Sequence, residues 1–161
     1  MAARKAAPAA SLRAQVVDPF RNLKSEVVDV PEWGAKVVVR GLKLGEWREY
    51  NRMAALLSPA LAEGDAQPDT EREREREREP WEAFGIDALY AFVVVVSLHD
   101  ENRSPVFSAE PVQRAKDVAE VAATFSAVHD RLAAKAFELS GIGMAEKGEA
   151  PPDPVDEAGN G

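Results

Sequence analysis

The chain has 161 residues, a hydrophobic share of 45% and a formal net charge of -8, which suits one domain with one modest core. It contains no cysteine, so disulfides, thiolate metal sites and cysteine nucleophiles are excluded. The negative balance repels nucleic-acid phosphates and anionic lipid, and no apolar run reaches the roughly 20 residues of a membrane helix; a soluble cytosolic protein with neither nucleic acid nor membrane as partner is expected.

Residues 1–24 open with MAARKAAPAASLRAQ, rich in Ala with scattered Arg and Lys and no sustained apolar period. They are expected to form a basic arm, largely disordered or partly helical. Its cations Arg4, Lys5 and Arg13 are not followed by an apolar core of signal-peptide length. Ordered sequence begins with VVDVPEWGAKVVVRGL. Two β-branched runs, Val27 to Val30 and Val37 to Arg40, flank Pro31 and Gly34 and predict a β-hairpin. Pro31 has no amide hydrogen for a ladder, which confines it to the turn or an edge. In LKLGEWREYNRMAALLSPAL, Leu44, Trp47, Tyr50 or Asn51, Ala54 and Leu57 recur at helical spacing and Pro59 ends the run. A short amphipathic helix follows from that pattern.

Residues 62–79 lose all hydrophobicity and contain most of TEREREREREP (70–80), Glu-Arg four times over. As a strand the repeat would put every Glu on one face and every Arg on the other, which no core can use. As a helix, its i,i+3 attractions are offset by like-sign i,i+4 pairs. As a nucleic-acid patch it fails because each Arg is flanked by acid. The expectation is an inserted charged surface loop, a kind of insertion that costs little closure entropy.

In PWEAFGIDALYAFVVVVSLHD, Pro80 suits a first helical turn, and Trp81, Phe84, Ala88, Leu89, Phe92, Val95 and Val96 follow a helical stripe. Four consecutive valines favour a strand by propensity; the stripe predicts a helix buried on most sides. DENRSP is a polar turn, Val106 and Phe107 are expected to return to the core, and Ser108 is a candidate N-cap for a short helix from Ala109. Asp117 and Glu120 have the spacing of a capping box, and Val118, Val121, Phe125, Val128, Leu132, Ala136 and Leu139 make one apolar face. One helix over 118–140 is predicted, stopped by Gly141 with Ile142 folding back on it. The last residues, 144–161, are expected to be a disordered acidic tail. The fold class is thus α+β, mainly helical: a short N-terminal hairpin and about four helices in a single domain over 25–143, between two disordered tails.

Two His-Asp dipeptides, His99-Asp100 and His129-Asp130, could contribute to a metal site completed by carboxylates, as in metal-dependent hydrolases. The ordinary reading is a turn carboxylate at Asp100 and a core-edge histidine at His129. Serine nucleophile motifs, glycine-rich phosphate loops and clustered carboxylates flanked by apolar residues are missing, so no enzyme, cofactor or metal is expected. Trp47 and Trp81 lie on apolar stripes and read as core. Trp33, beside Pro31 and Gly34 at the end of the hairpin, is as well placed for a contact surface as for packing.

The order of segments resembles the tail assembly chaperones of long-tailed, siphovirus-type bacteriophages. A Pro-Glu-Trp-Gly turn between short strands is met by Pro31, Glu32, Trp33 and Gly34; the following pair by Arg40 and Leu42; the Asp turn before an apolar-Phe pair by Asp100, Val106 and Phe107; and the closing helix by Leu139 and Gly141. Ser140 stands where the family has Asn, and DENRSP lacks its customary Gly. The resemblance covers about residues 25–143 and leaves the tails and the charge repeat outside. It implies a chaperone without an active site that coats the tape-measure protein, keeps it soluble, helps recruit tail-tube subunits, and leaves before the virion is complete. The tube contact would come through a longer frameshifted form, and the acidic tail fits the unshifted product. The implied location is the host cytoplasm and not the mature virion. Partner contacts are expected at Trp33, Glu32 and Arg40. The other reading is a structural head-tail completion or tail-terminator protein retained in the virion.

Overall fold

The computed structural model describes residues 9–57 and 77–141. The expectations for Pro59, for Ile142, for the acidic tail and for most of the charged insertion fall outside these residues. The architecture is α+β and mainly helical; among the described residues a small antiparallel sheet is packed with four helices and preceded by a helical arm.

The hairpin follows the two β-branched runs. Strands β1 (Ser25–Val30) and β2 (Ala35–Arg40) pair antiparallel, with Ser25 opposite Arg40 and Val30 opposite Ala35. Pro31–Trp33 form a single 3₁₀ turn between them, ended by Gly34 at φ 61, where its amide donates to the Pro31 carbonyl at 3.0 Å. That left-handed backbone is the reason for glycine at this position. A third strand, β3 (Leu98–His99), pairs with Val39 and Val38 and gives the order β1-β2-β3. Two residues are too few to show a period, so sequence pattern alone reads them as the edge of a turn.

Helix α3 (Leu44–Leu57) buries Met53 and half-buries Trp47, Tyr50, Ala54 and Leu57 against the core. The next helix begins later than predicted. Pro80–Phe84 make a 3₁₀ turn with Trp81 buried, Gly85 breaks it at φ 58 and ψ -135, and α4 then runs over Ile86–Ser97. Every residue of α4 from Ala91 to Ser97 is buried. Helical Val gives up at most about 0.7 kcal/mol of propensity, whereas full burial of its side chain returns about 1.5 kcal/mol or more. Burial therefore decides the conformation of the four valines.

The predicted helix over 118–140 is two helices. Helix α5 (Pro111–Ala123) starts at Glu110, whose carboxylate accepts from the amides of Val112 and Gln113 at 3.1 and 2.7 Å, so the cap is two residues beyond Ser108. Asp117 is interior to α5 and accepts from the Gln113 amide side chain, not from a helix start. Helix α6 (Ala127–Ser140) begins with the capping box of Ser126 and His129 and stops at Gly141, φ 73. Apolar periodicity runs through the break because α5 and α6 both pack on α4. Phe107 returns to the core, but Val106 stays exposed.

The described part of the arm is mostly helical. Helices α1 (Ala9–Val17) and α2 (Pro19–Asn22) are joined at Asp18, whose side chain accepts from the Phe20 amide at 2.9 Å. Phe20 meets the His99 ring edge-on at 4.8 Å with the Arg103 guanidinium 5.3 Å from its centroid. These local caps and one aromatic anchor leave no apolar period in the sequence. Among the described residues no helix is long and apolar enough to cross a membrane.

Candidate functional site

Arg40, expected at a partner surface, is instead 4% exposed. Its guanidinium donates to both carboxylate oxygens of Glu46, each at 2.8 Å, and to the carbonyls of Val96 and Gly41 at 2.8 and 2.9 Å. Glu46 also accepts from the Lys43 amide at 2.8 Å, which caps the start of α3. Arg40 thus ties β2, α3 and the end of α4 together from inside, because an arginine at the end of a buried strand must carry its charge to an enclosed partner. It is structural and offers no contact surface.

Glu32 and Trp33 are where a partner could reach them. Glu32 makes a two-pronged ion pair with Arg131 of α6, both contacts at 3.0 Å. The hydrogen bonds from Arg131, foremost among the causes, pull the Glu32 carboxyl down to about 2. The pair fixes the hairpin tip against the first turns of α6. Trp33 is 43% exposed, and its ring lies 5.9 Å from that of His129.

From Trp33 the rings continue without interruption. His129 stacks on Phe125 at 5.5 Å, Phe125 lies 6.3 Å from Tyr90, and Tyr90 meets Phe137 at 6.2 Å. Phe137 meets Tyr50 edge-on at 5.6 Å, and Tyr50 stacks on Trp47 at 5.1 Å. The hairpin, the α5–α6 junction and helices α6, α4 and α3 each supply part of this path. All of the rings beyond Trp33 are half-buried. Exposed Ile86 and Asp87 precede Tyr90 by about one turn, and exposed Asp130 precedes Phe137 by two turns. Such rings offer large apolar contact area at a low cost in side-chain entropy.

The two histidines occupy separate settings. His99 is buried in β3 with Nδ1 3.0 Å from the Ser97 carbonyl, and burial lowers its pKa. His129 Nδ1 accepts from the Ser126 amide at 3.0 Å, and burial lowers its pKa too. Asp100 accepts from the amides of Asn102 and Ser104, the work of a turn residue. Among the described residues no group of three or more His, Cys, Asp or Glu is arranged to hold a metal ion. Of the sequence candidates, the structure joins Glu32 and Trp33 and sends Arg40 inward. Tyr50, Tyr90, Phe125 and Phe137 were missed, since they converge from four separate stretches and carry no shared local signal.

The described residues thus form a small sheet packed with helices and crossed by a path of half-buried rings. Residues 11–156 match the family of phage tail assembly chaperones, and the chain belongs to that family. No curated protein matches it. Among solved structures, the bacteriophage HK97 tail assembly chaperone is similar in fold, with 20% sequence identity and a TM-score of 0.52 over 80% of this chain and 96% of that one.

Proposed function

We propose that the protein binds helices of the phage tape-measure protein along the aromatic face and keeps that long chain soluble until tail-tube subunits assemble around it. The continuous ring path from Trp33 to Trp47 carries this reading. An amphipathic helix lays its apolar stripe into a groove or face lined by apolar side chains, and half-buried rings suit that role. The net charge of -8 keeps a complex with an apolar client in solution. Many weak contacts along one client act together by avidity.

The protein works by binding and not by catalysis, in the host cytoplasm, and leaves before the virion is complete. A longer frameshifted form would add the contact to tube subunits. The decisive experiment is expression of the tape-measure protein from the same genome with and without this chain. A larger soluble client fraction and co-purification are expected; an equally insoluble client overturns the reading. Mass spectrometry of purified particles separates it from a structural completion or terminator protein, which would be found in the virion.

A further inference from the structure

Helix α4 is closed on nearly every side. Of its residues only Ile86, Asp87 and Tyr90 are not buried. They form one patch, because Tyr90 stands at i+4 from Ile86 and at i+3 from Asp87. The open side of the helix is therefore an apolar side chain, a ring and a carboxylate, without a cation. Tyr90 is also the middle ring of the path, 6.3 Å from Phe125 and 6.2 Å from Phe137. Helix α6 repeats the arrangement. Asp130 and Phe137 lie two turns apart in one row, and between them stands exposed Ala134, too small to cover either.

Most charges next to the ring residues in sequence are satisfied within the molecule: Glu32 by Arg131, Glu49 by Arg52, and Lys135 by Glu26 and Glu138. Arg48, exposed beside Trp47, stands at the far end of the path. Asp87 and Asp130 are exposed, and no described basic side chain pairs with either. An exposed carboxylate is ordinarily no more than a solvated group. These two differ in sharing their rows with apolar and aromatic side chains, so a helix laid on the rings must meet them.

We propose that the middle of the ring path selects amphipathic helices whose apolar stripe is bordered by Lys or Arg. The stripe covers Ile86, Tyr90 and Phe137, and the basic side chains reach Asp87 and Asp130. Lys and Arg suit this place twice over. Their apolar stems lie along the rings while the charged heads extend to the carboxylates, and a cation over a ring face is attracted by the ring itself. A helix bordered by Glu or Asp would set like charges together in a partly desolvated contact, which costs affinity and excludes it. The net charge of -8 adds a long-range attraction for a basic segment and speeds its arrival. The inference rests on the proposed client reading, since it names the class of helix that the same face takes.

Fluorescence anisotropy of the full chain with two labelled synthetic peptides tests this. Both carry the same Leu stripe at helical spacing; one has Lys at the positions bordering the stripe and the other has Glu. At about 50 mM salt the Lys peptide is expected to bind about tenfold more tightly, and the difference to shrink at about 500 mM. The double variant Asp87→Asn with Asp130→Asn is expected to lose most of that preference at an unchanged melting temperature. The control Asp29→Asn with Glu101→Gln removes as many exposed charges, from β1 and from the turn after β3, and is expected to keep it. Equal affinity for the two peptides, no binding of either, a preference that survives the Asp87 and Asp130 variant, or one lost equally in the control each overturns the proposal. Tape-measure protein solubilised equally by wild type and by the Asp87 and Asp130 variant leaves the client reading standing without this selectivity. Binding of the Lys peptide that depends on both acids, by a chain that leaves the tape-measure protein insoluble, does the reverse.

Discussion

Arg40 shows how one residue can look functional in sequence and be structural in space. Its pair with Glu46 is enclosed, 4% and 7% exposed, and the Arg40 guanidinium makes three hydrogen bonds from β2, two to α3 and one to α4. Removing one member leaves the other charge buried alone, which costs about 3–5 kcal/mol, whereas replacing both by apolar residues of similar volume is close to neutral. Urea denaturation should therefore show Arg40→Met and Glu46→Gln strongly destabilised, with Arg40→Met combined with Glu46→Leu recovering most of the loss. A double variant no better than the singles would mean the hydrogen bonds to Val96 and Gly41 carry the effect instead. Trp33 should behave in the opposite way. It packs on His129 while 43% exposed, so Trp33→Ala is expected to leave the melting temperature nearly unchanged and to weaken tape-measure binding about tenfold, the scale of an aromatic contact at an interface. Unaltered client affinity in a pull-down titration would remove the hairpin tip from the contact surface.

The junction between α5 and α6 concentrates the consequences of element boundaries. The Ser126 amide donates to His129 Nδ1, which must be unprotonated to accept, and burial pushes the His129 pKa below the ordinary histidine value of 6.5. Below about pH 6.5 the unfolded chain takes up a proton that the folded ring resists, so the unfolded state binds more protons and stability falls as pH falls. The contribution is fully present above that value. His99 shifts in the same direction, chiefly through burial, and adds to the loss. Gln is a usual partner at this place in a capping box and does not titrate, so His129→Gln is expected to melt near wild type above about pH 7 and to lose less stability toward about pH 5. An unchanged slope would assign the pH dependence to His99 and the carboxylates. The junction also marks the limit of what patterning reveals: Val118, Val121, Phe125 and Val128 keep one helical period across Thr124 to Ser126, because both helices pack on α4. A change of axis without a change of buried side is invisible to periodicity. The hairpin was legible because β-branched runs and a Pro–Gly turn agree locally, and α4 because its stripe outweighed the propensity of four valines. In the arm, the sequence allowed a partial helix but not its bounds, since the side-chain hydrogen bonds of Asn22 and Asp18 that close it leave no period.

At the scale of the molecule, the aromatic face is a tertiary product: Trp33, Phe125, Tyr90, Phe137 and Trp47 share no run of sequence and meet only when five parts of the chain pack. The charge repeat is the converse, conspicuous in sequence and outside the described residues up to Arg76. The core is drawn from both sides of it, Met53 of α3 before and Trp81 with α4 after. The turn that follows is fixed by Glu79, whose amide donates to the Glu82 carboxylate and whose carbonyl accepts from the Glu82 amide at 3.1 Å. Deleting Glu71 to Arg76 removes three acidic and three basic residues and spares that cap. The net charge of the chain is unchanged, so any effect reports length or contact and not electrostatics. Nearly unaltered melting temperature and client solubility are expected, as for a surface insertion that only lengthens a connection. A fall of several degrees would assign the repeat a place in the fold, and lost client solubility at unchanged melting temperature would assign it a contact with the tape-measure protein.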